Sequence, residues 1–384
     1  MKVNRAEFVS RLEKVYPAVG KNRVVPGTQY LQISRGTIWA TNGAMVIRTQ
    51  FPADLDFECG VLGKPLLQLL RSVDCENIEL IREGRGIHVN AGKVNAVFAD
   101  YPMNYTAGVV TPDCTCNEAD TISGLVKGLD ACKFAVSKFA TEKALCGVLL
   151  DEDILQSTDR QRIVLWSLHT SLTGMRCSIP VMLIDVMNRV KDEISMVGYS
   201  ASTGRFVVVL HDGTYIDCLT YNGQFRDLRN FLPASGSPSV KVSCADQVAG
   251  AIERHIAFLA DVESHDKRIS FRLYKDKCTV ASQYTNIEYL EEELKVSCDA
   301  DSEVGFDVNP LYLRDVAGLC SDFTYFTTAG ILLIESGELR YLVCADSRDI
   351  TASDCREHRI GRDPAHKERF FLANGATCSS TSSG

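Results

Sequence analysis

Apolar residues recur at helical spacing from Phe8 to Val19: Phe8, Leu12, Val15 and Val19 share one stripe and Lys14 falls on the far side. That spacing predicts an amphipathic helix. Short alternating runs bounded by turn residues follow: Gln29 to Ser34, Thr37 to Ala40 after Gly36, and Met45 to Arg48 after Asn42-Gly43. A second helix is expected near Leu62 to Val73, with Pro65 in its first turn, Leu62, Leu66, Leu69 and Val73 inward, and Lys64 and Arg71 outward. Strands resume at Asn77 to Ile81, Gly86 to Asn90 and Asn95 to Phe98, ending near Tyr101-Pro102.

After a polar linker at Thr111 to Glu118 the same order begins again. Leu125, Leu129, Cys132, Val136 and Phe139 form a stripe with Lys127 and Lys138 opposite, and strands Leu145 to Leu150 and Ile154 to Trp166 follow. A helix opened by Pro180 has Leu183, Met187, Val190 and Ile194 inward and Arg189 outward. Phe206 to Leu210 and Tyr215 to Leu219 are strands, and Phe231-Leu-Pro233 closes the unit. A third copy follows Ala234 to Ser239. Its helix from Ala245 to Leu259 has Val248, Ile252 and Leu259 inward and Arg254 outward, and its second helix opens at Asn309-Pro310 and runs through Leu313, Val316 and Ala317. Ile269 to Leu273, Cys278 to Ala281, Phe323 to Thr327, Ile331 to Glu335 and Arg340 to Cys344 supply its strands. Three units with a period of about 120 residues make a triplication.

The hairpin Leu155 to Ile163, with its Ser157-Thr-Asp-Arg-Gln-Arg162 turn, has counterparts at Trp39 to Ile47 and Val280 to Glu288. A turn present in all three units with different polar residues is architecture first. The Asp159 and Arg162 side chains have no His or second carboxylate nearby in sequence, so a nucleophilic or acid–base site is disfavoured and the chain is expected to be no enzyme.

Composition changes this picture little: 384 residues with 45% hydrophobic and 23% charged suit a soluble chain of two or three domains. The net charge of -8 requires any basic surface to be local. No apolar run approaches a membrane span, and a cytoplasmic protein is expected. The fifteen cysteines sit singly, as reduced core residues do, and no structural disulfide is expected. Cys114 and Cys116, and Cys355, His358, His366 and Cys378, lack zinc-site spacing, so no metal is expected. Gly60-Val-Leu-Gly63-Lys64 lacks phosphate-loop spacing, so no nucleotide or other cofactor is implied.

In order and spacing, Leu145-Cys-Gly-Val-Leu149, Ser157 to Ile163, Ile179-Pro180, Phe225 to Pro233, Val304-Gly-Phe-Asp-Val-Asn-Pro310 and Tyr341 to Cys344 resemble the bacterial replication sliding clamp, the beta subunit of DNA polymerase III. The resemblance covers residues 1 to about 350 and all three units. It implies an α+β DNA-clamp fold with two helices on antiparallel sheets in each of three domains, 1–118, 119–236 and 237–349, plus a polar tail at 350–384. It also implies a head-to-tail homodimer closed into a ring around double-stranded DNA. Lys14, Arg23, Lys64, Arg71, Lys127, Lys138, Arg189 and Arg254 would line the hole and touch phosphates without reading bases.

The same resemblance implies a partner-peptide pocket at Leu145, Thr158, Arg162, Ile163, Pro233, Val343 and Cys344, serving a DNA polymerase and an ATP-dependent clamp loader. It implies a ring interface pairing Tyr101-Pro102 with Phe258-Leu259. Two departures stand out: Arg160-Gln161 replaces a Gly-His pair, and Cys344-Ala345-Asp346 replaces a methionine-containing ending. Such divergence is compatible with a phage or mobile-element origin. The competing class is a clamp-fold scaffold without ring closure, serving as a replication or transcription adaptor.

Overall fold

The computed structural model describes residues 2–348 except 22–24, 26, 35, 52–57, 102–107, 140, 224, 244–246, 286 and 317–321. Arg23, Pro102 and the tail at 350–384 therefore lie outside the described residues. Backbone contacts gather the chain into two compact units, one of Met1–Asp130, Leu150–Asp153 and His169–Gly223, the other of Ala131–Leu149, Ile154–Leu168 and Gln224–Gly384.

In the first unit, helix α1 (Arg5–Val15) starts where the Asn4 side chain accepts a hydrogen bond from the Glu7 amide, 3.1 Å. It buries Phe8, Leu12 and Val15, with the Phe8 ring edge-on to Phe51 at 5.3 Å. The helices α2 (Gly63–Ser72), α3 (Ala119–Cys132) and α4 (Val181–Arg189) follow in chain order. An eight-stranded antiparallel sheet runs Cys59–Leu62, Tyr30–Ser34, Thr37–Thr41, Met45–Gln50, Tyr215–Leu219, Arg205–Leu210, Ile194–Ser200 and Cys114–Cys116. A four-stranded sheet runs Lys2–Asn4, Asn77–Glu83, Gly86–Ala91 and Val94–Ala99, so Val94–Ala99 is an edge.

Gly60 has a steric reason to be glycine. A Cβ there would lie 1.8 Å from the Tyr101 carbonyl oxygen, because the Tyr101 amide donates to the Gly60 oxygen at 2.8 Å.

The second unit holds α5 (Gln247–Phe258) and the short α6 (Pro310–Arg314), which Asn309 caps by accepting from the Leu311 amide. One sheet passes through Ile154–Thr158, Arg162–Ser167, Leu339–Cys344, Ile331–Ser336, Asp322–Phe326, Ser239–Ser243 and Ser297–Cys298. A five-stranded sheet runs Tyr289–Lys295, Lys277–Gln283, Ile269–Tyr274, Val304–Val308 and Asp346–Arg348. Phe271, Phe306, Phe323 and Tyr325 stack and abut at 4.4–6.3 Å as its aromatic core.

Two of the three hairpins form where the alternation predicts, Thr37–Thr41 with Met45–Gln50 and Ile154–Thr158 with Arg162–Ser167; the third pairs Lys277–Gln283 with Tyr289–Lys295, a strand that lies beyond the expected Val280 to Glu288. Several helical stripes shift. α2 buries Leu66, Leu67 and Leu70, leaving Leu62 and Leu69 only half-buried. The α3 stripe ends at Cys132; a 3-10 turn at Lys133–Ala135 breaks the period, and Phe139, expected inward, is 95% exposed. Ile194, expected on α4, opens a strand. The segment read as a polar linker contributes Cys114–Cys116, paired to Val197, Gly198 and Tyr199.

Among the described residues, no helix is long and apolar enough to cross a membrane. The described cysteines are free thiols. Burial pushes the Cys59 and Cys218 thiols up to about 12, so both stay protonated and unreactive.

Candidate functional site

The expected pocket residues all fall in the second unit, around the hairpin that joins Ile154–Thr158 to Arg162–Ser167. Strand alternation decides which of them face the same way. Thr158 stands opposite Ile163, Ile163 opposite Leu342, and Cys344 opposite Ile331. On this face Leu145, Ile163, Leu165, Phe225, Leu228, Leu333 and Leu342 form one buried cluster, with Phe231, Leu232, Phe326, Ile331 and Cys344 packed on it half-exposed. Pro233, also half-buried, follows the 3-10 turn Leu228–Phe231. That turn is docked by the Gln156 side-chain oxygen, which accepts from the Leu228 amide at 2.7 Å. The result is an apolar face with a partly open aromatic and aliphatic rim.

Arg162 and Val343 are paired with each other, one residue out of phase with that face. Val343 is fully buried on the opposite side of the sheet. The Arg162 side chain, 11% exposed, is consumed there. Its Nε donates to Asp159 at 2.9 Å, Nη1 to Asp315, and Nη2 to the Phe134 carbonyl at 2.8 Å. The guanidinium lies over the Tyr312 and Phe134 rings at 4.9 and 5.2 Å. Burial opposes its charge, but Tyr341, Asp159 and Asp315 outweigh that and raise its pKa above the ordinary guanidinium value. Burial raises the Asp159 carboxyl, against the pull of Arg162 and of the Gln161 and Arg162 amides. Arg162 is thus a clamp behind the apolar face, not one of its walls.

The hairpin's tip is held by its own side chains. The Thr158 hydroxyl donates to the Arg162 oxygen at 2.6 Å, and Asp159 Oδ1 accepts from the Gln161 and Arg162 amides at 3.0 and 3.2 Å. Arg160 takes φ +76°, a left-handed conformation that costs a non-glycine residue about 1–2 kcal/mol.

The expected DNA-lining cations divide. Lys14 Nζ meets Glu193 at 2.5 Å and Asp212 at 2.7 Å, Arg71 meets Glu13 at 2.7 Å, and Arg254 meets Glu292 at 2.5 Å. Burial would lift the Asp212 carboxyl, but Lys14 and Thr214 outweigh it and hold it down at about 2. Lys64 on α2, Lys127 on α3, Lys138 beyond it and Arg189 at the end of α4 are exposed.

Of the expected interface residues, Tyr101 is exposed and stacks on Tyr30 at 4.7 Å, beside the edge strand Val94–Ala99 with its exposed Val94 and Val97. Phe258 is half-buried and edge-on to Tyr284 at 6.3 Å, near the other edge strand, Tyr289–Lys295. Leu259 is not at a surface. It is 1% exposed in the core, and Lys267 caps the end of α5 by donating to the Leu259 and Ala260 oxygens. Sequence reasoning missed the edge residues Val97, Ile287 and Tyr289, and missed Phe231, Phe326 and Ile331 on the apolar rim. The run Phe225 to Phe231 carried the signal for the rim.

Among the described residues, the ligand atoms of Glu263, His265 and Asp266 come within 4.8 Å of one another, but all three are exposed and pair among themselves.

No protein-family model and no curated protein sequence matches the chain. Solved structures do. The DNA polymerase III subunit beta from Pseudomonas aeruginosa superposes with a TM-score of 0.78 at 17% identity, over 90% of this chain and 99% of that one. This chain has the sliding-clamp fold. The Caulobacter crescentus beta sliding clamp gives 0.78 at 16% identity, over 91% of this chain and 99% of the other. A sliding clamp from Bartonella birtlesii, solved bound to griselimycin, gives 0.77 at 16% identity with the same two coverages. The clamp fold fits the repeated hairpins and strand-to-helix joints. At these identities it fixes architecture only.

Proposed function

We propose that the chain is a DNA sliding clamp. It dimerises head to tail into a ring around duplex DNA and tethers a replicative DNA polymerase without catalysing a reaction itself. The observation that carries this is the match to 99% of a clamp chain at a TM-score of 0.78. The three repeats are taken as residues 1–118, 119–236 and 237–349.

Two features support ring closure. Val94–Ala99 and Tyr289–Lys295 are both sheet edges that carry exposed apolar side chains, Val94 and Val97 on one, Tyr289 with the neighbouring Ile287 on the other. An edge of each kind on every copy suits strand-to-strand pairing between two copies. Exposed Lys64, Lys127, Lys138 and Arg189 suit phosphate contacts that read no sequence. The apolar face around Ile163 and Leu342 suits a short apolar peptide from a polymerase or from an ATP-driven loader.

The test is topological. The protein is loaded on nicked circular DNA with its loader, the DNA is linearised, and retention is measured. Retention on circles and loss from linear DNA is expected; equal retention on both would overturn the ring and leave a clamp-fold adaptor.

A further inference from the structure

Phe139 is 95% exposed, the most exposed large apolar side chain among the described residues. It stands in the loop between the 3-10 turns Lys133–Ala135 and Lys143–Cys146. The base of that loop is fastened on both sides. The Ser137 amide donates to the Leu145 oxygen at 2.9 Å and the Leu145 amide to the Glu142 oxygen at 3.0 Å, with Leu145 itself buried. On the incoming side Arg162 donates to the Phe134 carbonyl at 2.8 Å. The exposed neighbours of Phe139 are Lys138, Thr141, Glu142 and Lys143, and Glu142, the loop's one acid, faces the Arg160 guanidinium at 4.0 Å.

A lone exposed aromatic between two lysines selects among partners. Docking of a protein needs contiguous apolar area, and none of these neighbours adds any. A nucleic-acid base needs one open π-face, with cations beside it for the phosphates on either side. Bases inside a duplex are stacked on one another and offer a loop no open face, whereas unpaired bases do.

We propose that the loop carrying Phe139 is a contact site for single-stranded DNA, in which the ring stacks on an unpaired base and Lys138 and Lys143 meet the neighbouring phosphates. This rests on the DNA-binding part of the reading above and adds a second form of DNA to it, an unpaired stretch beside the duplex. It needs neither a second copy of the chain nor a closed ring.

The test uses the full chain at low salt with three labelled probes: a short oligo(dT), the same strand with abasic residues in place of the bases, and a duplex. Wild-type protein is expected to hold the oligo(dT) more tightly than its abasic twin. Phe139→Ala should weaken the oligo(dT) about fivefold or more and leave the abasic strand and the duplex unchanged. Phe139→Trp should keep the affinity and report stacking directly: Trp39 and Trp166 are buried, so the added emission is the exposed one, quenched by the oligo(dT) and not by the abasic strand. Replacing Lys138 and Lys143 together by Gln should weaken all three probes and flatten the salt dependence. Equal affinity of the wild type for the oligo(dT) and its abasic twin, no binding of either, or a loss in Phe139→Ala that falls equally on both, overturns the proposal. Emission of Phe139→Trp that shifts to the blue on anionic phospholipid vesicles and is untouched by oligo(dT) overturns it in favour of a membrane contact. Equal retention on circular and linear DNA would remove the ring and leave this site standing.

Discussion

Replacing Arg162 by methionine separates two accounts of this residue. If the guanidinium clamps the back of the sheet, Arg162→Met leaves Asp159 and Asp315 facing a buried space without their cation. It also removes the donor to the Phe134 carbonyl and the cation over the Tyr312 and Phe134 rings. With the side chain only 11% exposed, solvent screens little of this loss. Breaking a buried pair from one side costs about 3–5 kcal/mol. Urea denaturation should show a midpoint shift of that size at neutral pH.

The pH dependence follows from Asp159. Its folded pKa lies above the ordinary 3.8 because of burial, so its favourable contribution is present below 3.8 and lost as pH rises through the folded value. Without Arg162 the folded value climbs further. The variant's deficit should be largest at neutral pH and narrow on acidification towards about pH 4. Adding Asp159→Asn should recover part of the loss. A deficit below about 1 kcal/mol, together with a large fall in peptide affinity, would refute the clamp and return Arg162 to the pocket wall.

Two further outcomes are expected. Gly60→Ala places a Cβ 1.8 Å from the Tyr101 oxygen, so it should cost about 1–3 kcal/mol; an unchanged thermal midpoint would contradict that packing. Leu259→Asp buries an unpartnered carboxylate and should lower the thermal midpoint steeply, whereas Val97→Asp on an exposed edge should leave the midpoint intact and shift light scattering from dimer to monomer.

The hairpins were legible in the sequence because their signals are local: Asn42-Gly43 dictates a turn whatever surrounds it, and apolar alternation marks the strands on either side. Tyr289–Lys295 was not legible. As a sheet edge it buries little beyond Leu294, so its Glu-rich sequence carries no alternation to read. Cys114–Cys116 is a strand only because Val197 to Tyr199 lies beside it, which is tertiary information. The leucine pairs at 66–67 and 69–70 offer two helical phases, and the packing of α2 selects the one with Leu67 and Leu70. Phe139 kept the helical period after the helix had ended.

The candidate site was half legible for a related reason. Adjacent residues on a strand face opposite ways, so a motif that names both Arg162 and Ile163 cannot place both on one face. Leu145, Thr158, Ile163 and Cys344 meet on the apolar side, and Arg162 and Val343 support it from behind.

The two best-matched hairpins separate architecture from function. Thr41 and Thr158 both donate their hydroxyls back across the turn, to the Met45 and Arg162 oxygens at 3.0 and 2.6 Å. Asn42 and Asp159 both accept from the second and third amides after them. The Ala44 and Gln161 oxygens both accept from a neighbouring strand, from Leu219 at 2.8 Å and Cys344 at 3.1 Å. The backbone frame is therefore one solution used twice, and the chemistry on it differs. Where the second unit sets Ile163 against Leu342, the first sets Val46 against Asp217, which is buried in an ion pair with Arg205. Burial raises the Asp217 carboxyl, and Arg205 and Arg48 oppose that rise. An apolar peptide laid on that face would strip water from an ion pair it cannot replace, whereas the corresponding position on the second is hydrocarbon, Ile163 against Leu342. The repeated frame thus presents two faces of different chemistry, of which the one around Ile163 suits an apolar partner.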